Sequence, residues 1–464
     1  MKRVVFKLSL LSVMAASALA SVFVGCSSST TTTAGTDGGD ETPVPSKCPT
    51  PTGPAVEHQG TIAADETWGP GLHRVTAMVT VGKKATLTIA PCAVVKMAAG
   101  SRFLVGGTAA GEESFLVAPG RADEPIVIEA ETDTKWNDLL VYPKGKVTLA
   151  YTTLRGGGGP DGRDGATLHL FGDANAPPQA LGSVDHVTIE GSGRYGVYME
   201  THGAFSSDSH DLVVRGSGEM PVRTTAATAY SVPTGKYTGN GTDAMRLVGS
   251  QGYDAIFEST VFHDRGVPYV VGGDRALPEI PIVGANGPAT LTLEAGVTLK
   301  FVTSDRASGI WVDRGTSNVA AKGILKIAGT ADRKVTLTSA EASPKAGDWV
   351  GIVFGNQPSP ENSIENAVID YAGGDTGTRG FSCGTPGSDD PISNEAAITI
   401  LGEPSRAFVT GTRIAHSAKN GIERGWTGRA VDFLPGNTFE DIANCKQTRN
   451  RTPNTQCPDP PVCD

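Results

Sequence analysis

The chain has 464 residues, including 59 glycines and 30 prolines, with 6% aromatic and 19% charged side chains. That density of turn formers excludes a helical bundle, and 39% hydrophobic residues exclude a chain disordered throughout. A formal charge of −10 argues against a nucleic-acid partner, because neutralising phosphates takes a basic surface. No glycine-rich phosphate loop lies between a strand and a helix, so a nucleotide partner is not expected either.

The first element is residues 1–25. Lys2, Arg3 and Lys7 precede an apolar run from Leu8 to Val24, which closes on Gly25-Cys26. A basic start, an apolar stretch and a small residue before the cut describe a secretory signal. About 20 apolar residues also suffice to span a membrane, but Ser and Thr rather than a basic cluster follow Cys26. Phe23-Val24-Gly25-Cys26 resembles the lipobox of bacterial lipoproteins. The resemblance implies acylation of Cys26, and Ser27 after it implies the outer membrane or cell surface as the address. Acyl chains contribute about 0.8 kcal/mol per buried methylene, enough for several chains to hold a domain at a bilayer.

Residues 26–54 carry this lipid-bearing cysteine and a Ser/Thr/Pro-rich linker with almost no apolar side chain to bury. It is expected to be a disordered tether with a reach of about 30 Å. Setting Cys26 aside leaves six cysteines, Cys48, Cys92, Cys383, Cys445, Cys457 and Cys463. Export makes disulfides the expected state. Cys48 with Cys92 would tie the tether to the first strands, and the other four would clamp the C-terminal end. A zinc site is not expected from these cysteines, which form no CxxC pair.

The body is duplicated. ATLTIAPCAVVKM at 85–97 matches ATLTLEAGVTLKF at 289–301, and FLVAPGRADEPIVIEA at 115–130 matches ILKIAGTADRKVTLTSA at 324–340. Trp136 corresponds to Trp349, Gly156 to Gly373, and 186–197 to 411–422. The offsets only grow along the chain, so the second copy has gained insertions. Within each copy, short runs alternate with period 2 between Gly, Pro, Asp and Asn, which predicts strands.

Phrases such as LTIAPCAVVKM, AGTADRKVTLTS, GDWVGIVF and ENAVIDYAGG resemble right-handed parallel β-helix proteins of the pectin-lyase-like fold. The resemblance implies an all-β solenoid of stacked coils, each of roughly 20–30 residues, with aliphatic side chains inside. The division read from the sequence is a β-helix unit over 55–223, a connecting excursion over 224–265, a second unit over 266–445 and a Pro/Cys-rich cap over 446–464. About 13–19 coils would make a rod on the order of 60–90 Å long.

Candidate sites follow. Trp136 and Trp349 occupy equivalent corners and read as packing residues. In SGIWVDRG, alternation sends Trp311 and Asp313 outward if Ile310 and Val312 point in, so Trp311 and Asp313 are candidates for stacking on a glycan ring. The acids Asp370, Asp375, Asp389 and Asp390 in and beside the 373–395 loop, with Arg379 and Glu395, are the candidates for paired-carboxylate hydrolysis. Calcium would enter as a cofactor only under that enzymatic reading; otherwise neither a metal nor a cofactor is expected. Gly387-Ser388-Asp389-Asp390 resembles the double-Asp motif of polygalacturonases, but no Gly-His-Gly occurs. Lys326, Arg333 and Lys334 are the basic residues a lyase would draw on. The sequence therefore favours a surface-exposed, lipid-anchored recognition or structural module that binds glycan or envelope components, with a polysaccharide lyase or glycoside hydrolase as the alternative.

Overall fold

In Thr86–Ile89 and Ala93–Met97 every second side chain is buried, the signature of a strand with one face in a core. The computed structural model describes residues 44–248, 255–273, 279–284, 287–303, 308–313, 322–375, 395–450 and 463–464. Each coil contributes three strands that pair with the equivalent strands of the next. Thus Ser114–Pro119, Ile126–Ala130 and Leu139–Val141 lie parallel to Gly145–Ala150, Thr152–Arg155 and Ala166–Phe171. The ladders form one 25-stranded sheet and two five-stranded sheets. Among the described residues, antiparallel contact is confined to the isolated bridges Arg121–Glu124 and Thr448–Cys463. The protein is an all-β parallel β-helix.

One ladder runs the length of the stack. Val79, Phe103, Leu139, Leu168, Val197, Val222, Met245, Tyr269, Leu299, Leu337, Ile369, Ile414 and Phe439 are successive register partners. All but Phe439 are essentially buried, so parallel pairing places like beside like and fills the interior with stacked apolar side chains. At about 4.8 Å per level this is a rod on the order of 60 Å long, the short end of the expectation. The coils are less uniform than the sequence suggested. Steps run from 23 residues between Val222 and Met245 to 45 between Ile369 and Ile414, because the longer coils carry excursions at their corners.

The segment 224–265, read from the sequence as an excursion between units, takes part in the stack. Val222–Thr225, Met245–Val248 and Tyr269–Val271 pair in succession. Its Thr-rich composition concealed the burial: Thr224, Thr225 and Thr228 are buried, and their hydroxyls bond one another at 3.0–3.1 Å. A phase change occurs here. In the first unit, Ala93–Met97 belongs to the column that ends at Gly235–Lys236. Its sequence equivalent Thr298–Phe301 instead pairs with Tyr269–Val271, in the column that carries Arg102–Val105 and Leu139–Val141. The third-strand column of unit one therefore becomes the second-strand column of unit two.

Both open ends are covered, as a stack of strands requires. At the start, the His58 ring stacks on Trp68 at 3.8 Å and meets the His73 ring through a nitrogen–nitrogen contact of 3.0 Å. Disulfide Cys48–Cys92 joins the residues before the first strand to the second coil, as the sequence suggested. At the far end the buried Arg424 guanidinium donates to the Thr448 and Val431 carbonyls and to Asp464, and Phe408 meets Phe433 edge to face. Disulfide Cys445–Cys463 closes that end, while Cys383, Cys457 and Cys26 lie outside the described residues.

Candidate functional site

Corners of a β-helix coil need a residue that can turn the chain, and here several non-glycine residues adopt left-handed backbone angles. In the first unit Tyr151, His186 and Asp211 have φ of 41°, 53° and 52° on three successive coils. In the second, Tyr371, His416 and Asp441 have φ of 61°, 48° and 48°. Asp and His tolerate this region better than most residues, whereas Tyr does not, and strained backbone of this kind gathers at functional sites. Side chains at one corner position of adjacent coils sit one strand spacing apart, so their rings must stack. Tyr151 lies 4.5 Å from His186 at 10°, and Tyr371 lies 4.8 Å from His416 at 8°.

The two corners share the order Tyr, His, Asp but differ in their neighbours. At the second, His416 Nδ1 meets Asp370 Oδ1 at 2.6 Å and Nε2 faces Asp441 at 3.3 Å. Arg413 lies across the same group, 3.5 Å from Asp370 and 2.6 Å from Glu440. Glu440 in turn holds the Arg413 guanidinium above its ordinary range, and is itself held below the usual carboxylate range by Arg413. At the first corner, His186 Nδ1 meets Asp185 Oδ1 at 2.5 Å, and Nε2 lies 3.7 Å from Asp211 Oδ2. His210 Nδ1 lies 2.9 Å from Asp211 and 3.6 Å from Asp185. The hydrogen bond to Asp211 pushes the His210 imidazole up, outweighing the opposing effect of burial with help from the charges of Asp185 and Asp211. One donor atom from each of Asp185, His186, His210 and Asp211 lies within 4.8 Å of the others, a set able to hold a metal ion.

A cleft of about 700 Å³ opens where the columns change phase, lined in part by Pro177, His202, Tyr230, Phe257, Glu258 and Thr260. Tyr230 projects from the turn Ala229–Ser231 and is 38% exposed, one of few large apolar side chains so placed. Burial and the Glu258 charge push its hydroxyl pKa up, so it stays a neutral donor. An aromatic face with a carboxylate and hydroxyls around it suits a pyranose ring, whose C–H face is apolar and whose edge is polar.

No family model, curated protein or solved structure matches the chain. The chemistry of these sites is therefore read from their geometry.

The residues singled out in the sequence are placed as follows. Trp311 does sit on the opposite face from Ile310 and Val312, but its indole is only 5% exposed because Val350, Val353 and Leu401 cover it. The expected open stacking platform is absent at Trp311, since the outward face of that sheet is itself packed. Asp313 is half-buried at φ 58°, accepts from the Lys322 N–H, and burial pushes its carboxyl up. Asp370 is engaged by His416 and Arg413, Asp375 is exposed and Glu395 is buried. Asp389, Asp390 and Arg379 lie outside the described residues. Lys326 pairs with Glu361 and Arg333 with Asp264, so both serve as surface ion pairs. Sequence reasoning missed the first corner, although the signal was there: Asp185-His186 and His210-Asp211 are mirror dipeptides one coil apart, and Asp185 is the register partner of His210.

Proposed function

We propose that the protein is an exported, lipid-anchored β-helix rod that acts as a non-catalytic recognition module, binding glycan or cell-envelope polysaccharide. The observation that carries this reading is the cleft at the phase change, where Tyr230 offers an exposed ring beside Glu258. The basic leader, Cys26 and the polar tether support placement at the outer membrane or cell surface, with the rod held off the bilayer. The competing reading is a polysaccharide lyase or glycoside hydrolase on the same fold. It draws on Asp370, which stands beside a guanidinium and an imidazole at the second corner.

A glycan array and a reducing-end assay on the full chain separate the two. Binding without product, weakened at least about tenfold by Tyr230→Ala, is the expected result. Product formation that is lost in Asp370→Asn would establish the enzyme instead, and an array without any bound glycan would remove the recognition reading.

A further inference from the structure

We propose that His186, His210 and Asp211, with Asp185 orienting the His186 ring, form a binding site for a divalent transition metal of the zinc class, clipping two successive coils together at their corner.

Proton placement carries the first step. The 2.5 Å contact between His186 Nδ1 and Asp185 Oδ1 requires a proton on Nδ1. In the neutral ring, Nε2 then carries a lone pair, and it faces the Asp211 carboxylate at 3.7 Å, too far for a hydrogen bond. A cation bound by both of these electron-rich atoms would remove their repulsion. A carboxylate on Nδ1 is also the arrangement that fixes a metal-ligating imidazole in its tautomer and orientation.

Charge carries the second step. Among the described residues, the ion-pair partners of Asp185 and Asp211 are these two imidazoles alone. With both rings neutral the group bears two negative charges. The second corner has the same stacked Tyr and His, but there Arg413 supplies the positive charge, and Glu440 stands where the first corner has His210. At the second corner Asp370 and Glu440 are already paired with a built-in guanidinium, whereas the first has, among the described residues, no such fixed cation in its ion pairs and leaves its imidazoles and carboxylates to an exchangeable one.

Distance and ligand type carry the third. Bonds of about 2.0–2.2 Å in tetrahedral array put donor atoms about 3.4 Å apart. Asp211 Oδ2 lies 2.9 Å from His210 Nδ1 and 3.7 Å from His186 Nε2, separations that bracket that value, and water would fill the fourth position. Mixed imidazole and carboxylate donors suit zinc, cobalt or nickel over calcium, which takes six to eight oxygens. Side chains 32–54% exposed leave the ion an entry path and a position for water. Coordination through His210 Nδ1 displaces a proton, so affinity falls as pH is lowered.

The test uses the full chain in detergent, without a histidine tag and stripped by chelator. Zn²⁺ titrated by calorimetry should bind at one equivalent, and Co²⁺ should give the visible absorption of a tetrahedral nitrogen–oxygen site. His210→Ala and Asp211→Asn should each weaken Zn²⁺ binding by more than about tenfold, whereas His416→Gln at the other corner should leave it unchanged. Wild-type protein that binds neither Zn²⁺ nor Co²⁺ overturns the proposal, as does binding unmoved by His210→Ala and Asp211→Asn. Should a variant fail to fold, the wild-type Co²⁺ spectrum decides alone: tetrahedral bands support the site, and their absence refutes it.

Discussion

Trp136 and Trp349, 213 positions apart, make the same bond: each indole N–H donates at 2.8 Å to the carbonyl of the last residue in a strand of the next coil, Arg155 and Asp370 respectively. Both rings are buried, and Trp349 lies flat on Phe301 at 4.3 Å. The duplication thus preserves a staple between coils as well as a sequence pattern. Trp349→Phe keeps most of the apolar volume but leaves the Asp370 carbonyl unpaired, which should cost about 1–3 kcal/mol in urea unfolding. Because the two staples share no partner, the double variant with Trp136→Phe should be additive within about 0.5 kcal/mol. Strong coupling between them would show that the halves do not act independently.

The interior ladder predicts a gradient of sensitivity. Leu168 is wholly buried mid-stack, and Leu168→Ala should lose about 2–5 kcal/mol. Phe439, the last and partly exposed rung, should tolerate Ala at smaller cost, because stability in a stack is largely a sum of nearest-neighbour interfaces. Equal losses at the two positions would argue against that additivity.

Acid should unfold the rod through outward-facing glutamates that bind cations on neighbouring strands. Burial alone would raise the Glu129 carboxyl, but Lys96 and Arg155 outweigh it and hold the group below its usual range. Glu200 is likewise held low by His169 and Arg163 against its burial. A carboxyl with a lower pKa folded than unfolded stabilises above its unfolded value of about 4.3, and that contribution is lost as pH falls through the folded value. Melting temperature should therefore drop as pH is taken below about 4.5, and Glu129→Gln with Glu200→Gln should flatten the drop while lowering stability at neutral pH.

Peptide mapping without reductant should recover Cys48–Cys92 and Cys445–Cys463. Cys383 and Cys457, which lie outside the described residues, are expected to be oxidised as well. Cys48→Ser opens a 44-residue loop and should cost about 2–4 kcal/mol. Free Cys445 would count against a clamped C-terminal end.

Cys26→Ser should abolish lipid labelling and release the chain from membranes. Continued attachment would mean that the apolar leader spans the bilayer.

Strand positions were legible because period-2 alternation survives wherever one face is buried, as in Thr86–Ile89 and Ala93–Met97. The duplication and the Cys48–Cys92 pair could also be read from the sequence. Coil length could not, because excursions such as the one between Ile369 and Ile414 change spacing without disturbing the strands. Trp311 was misjudged as open because alternation reports which side a residue faces and not whether that side is covered. The corners stayed hidden for a different reason. Tyr151, His186 and Asp211 meet only because successive coils place sequence-distant residues one strand spacing apart, and their left-handed backbone carries no glycine to mark it.

The change of column near Gly235–Lys236 has a geometric outcome for anything that binds outside. Copies stacked in phase would present matching surfaces along one side, and a single long polymer would meet both. Here the matching surfaces look out in different directions, so a straight polymer lying along one side of the rod would meet only one of the two.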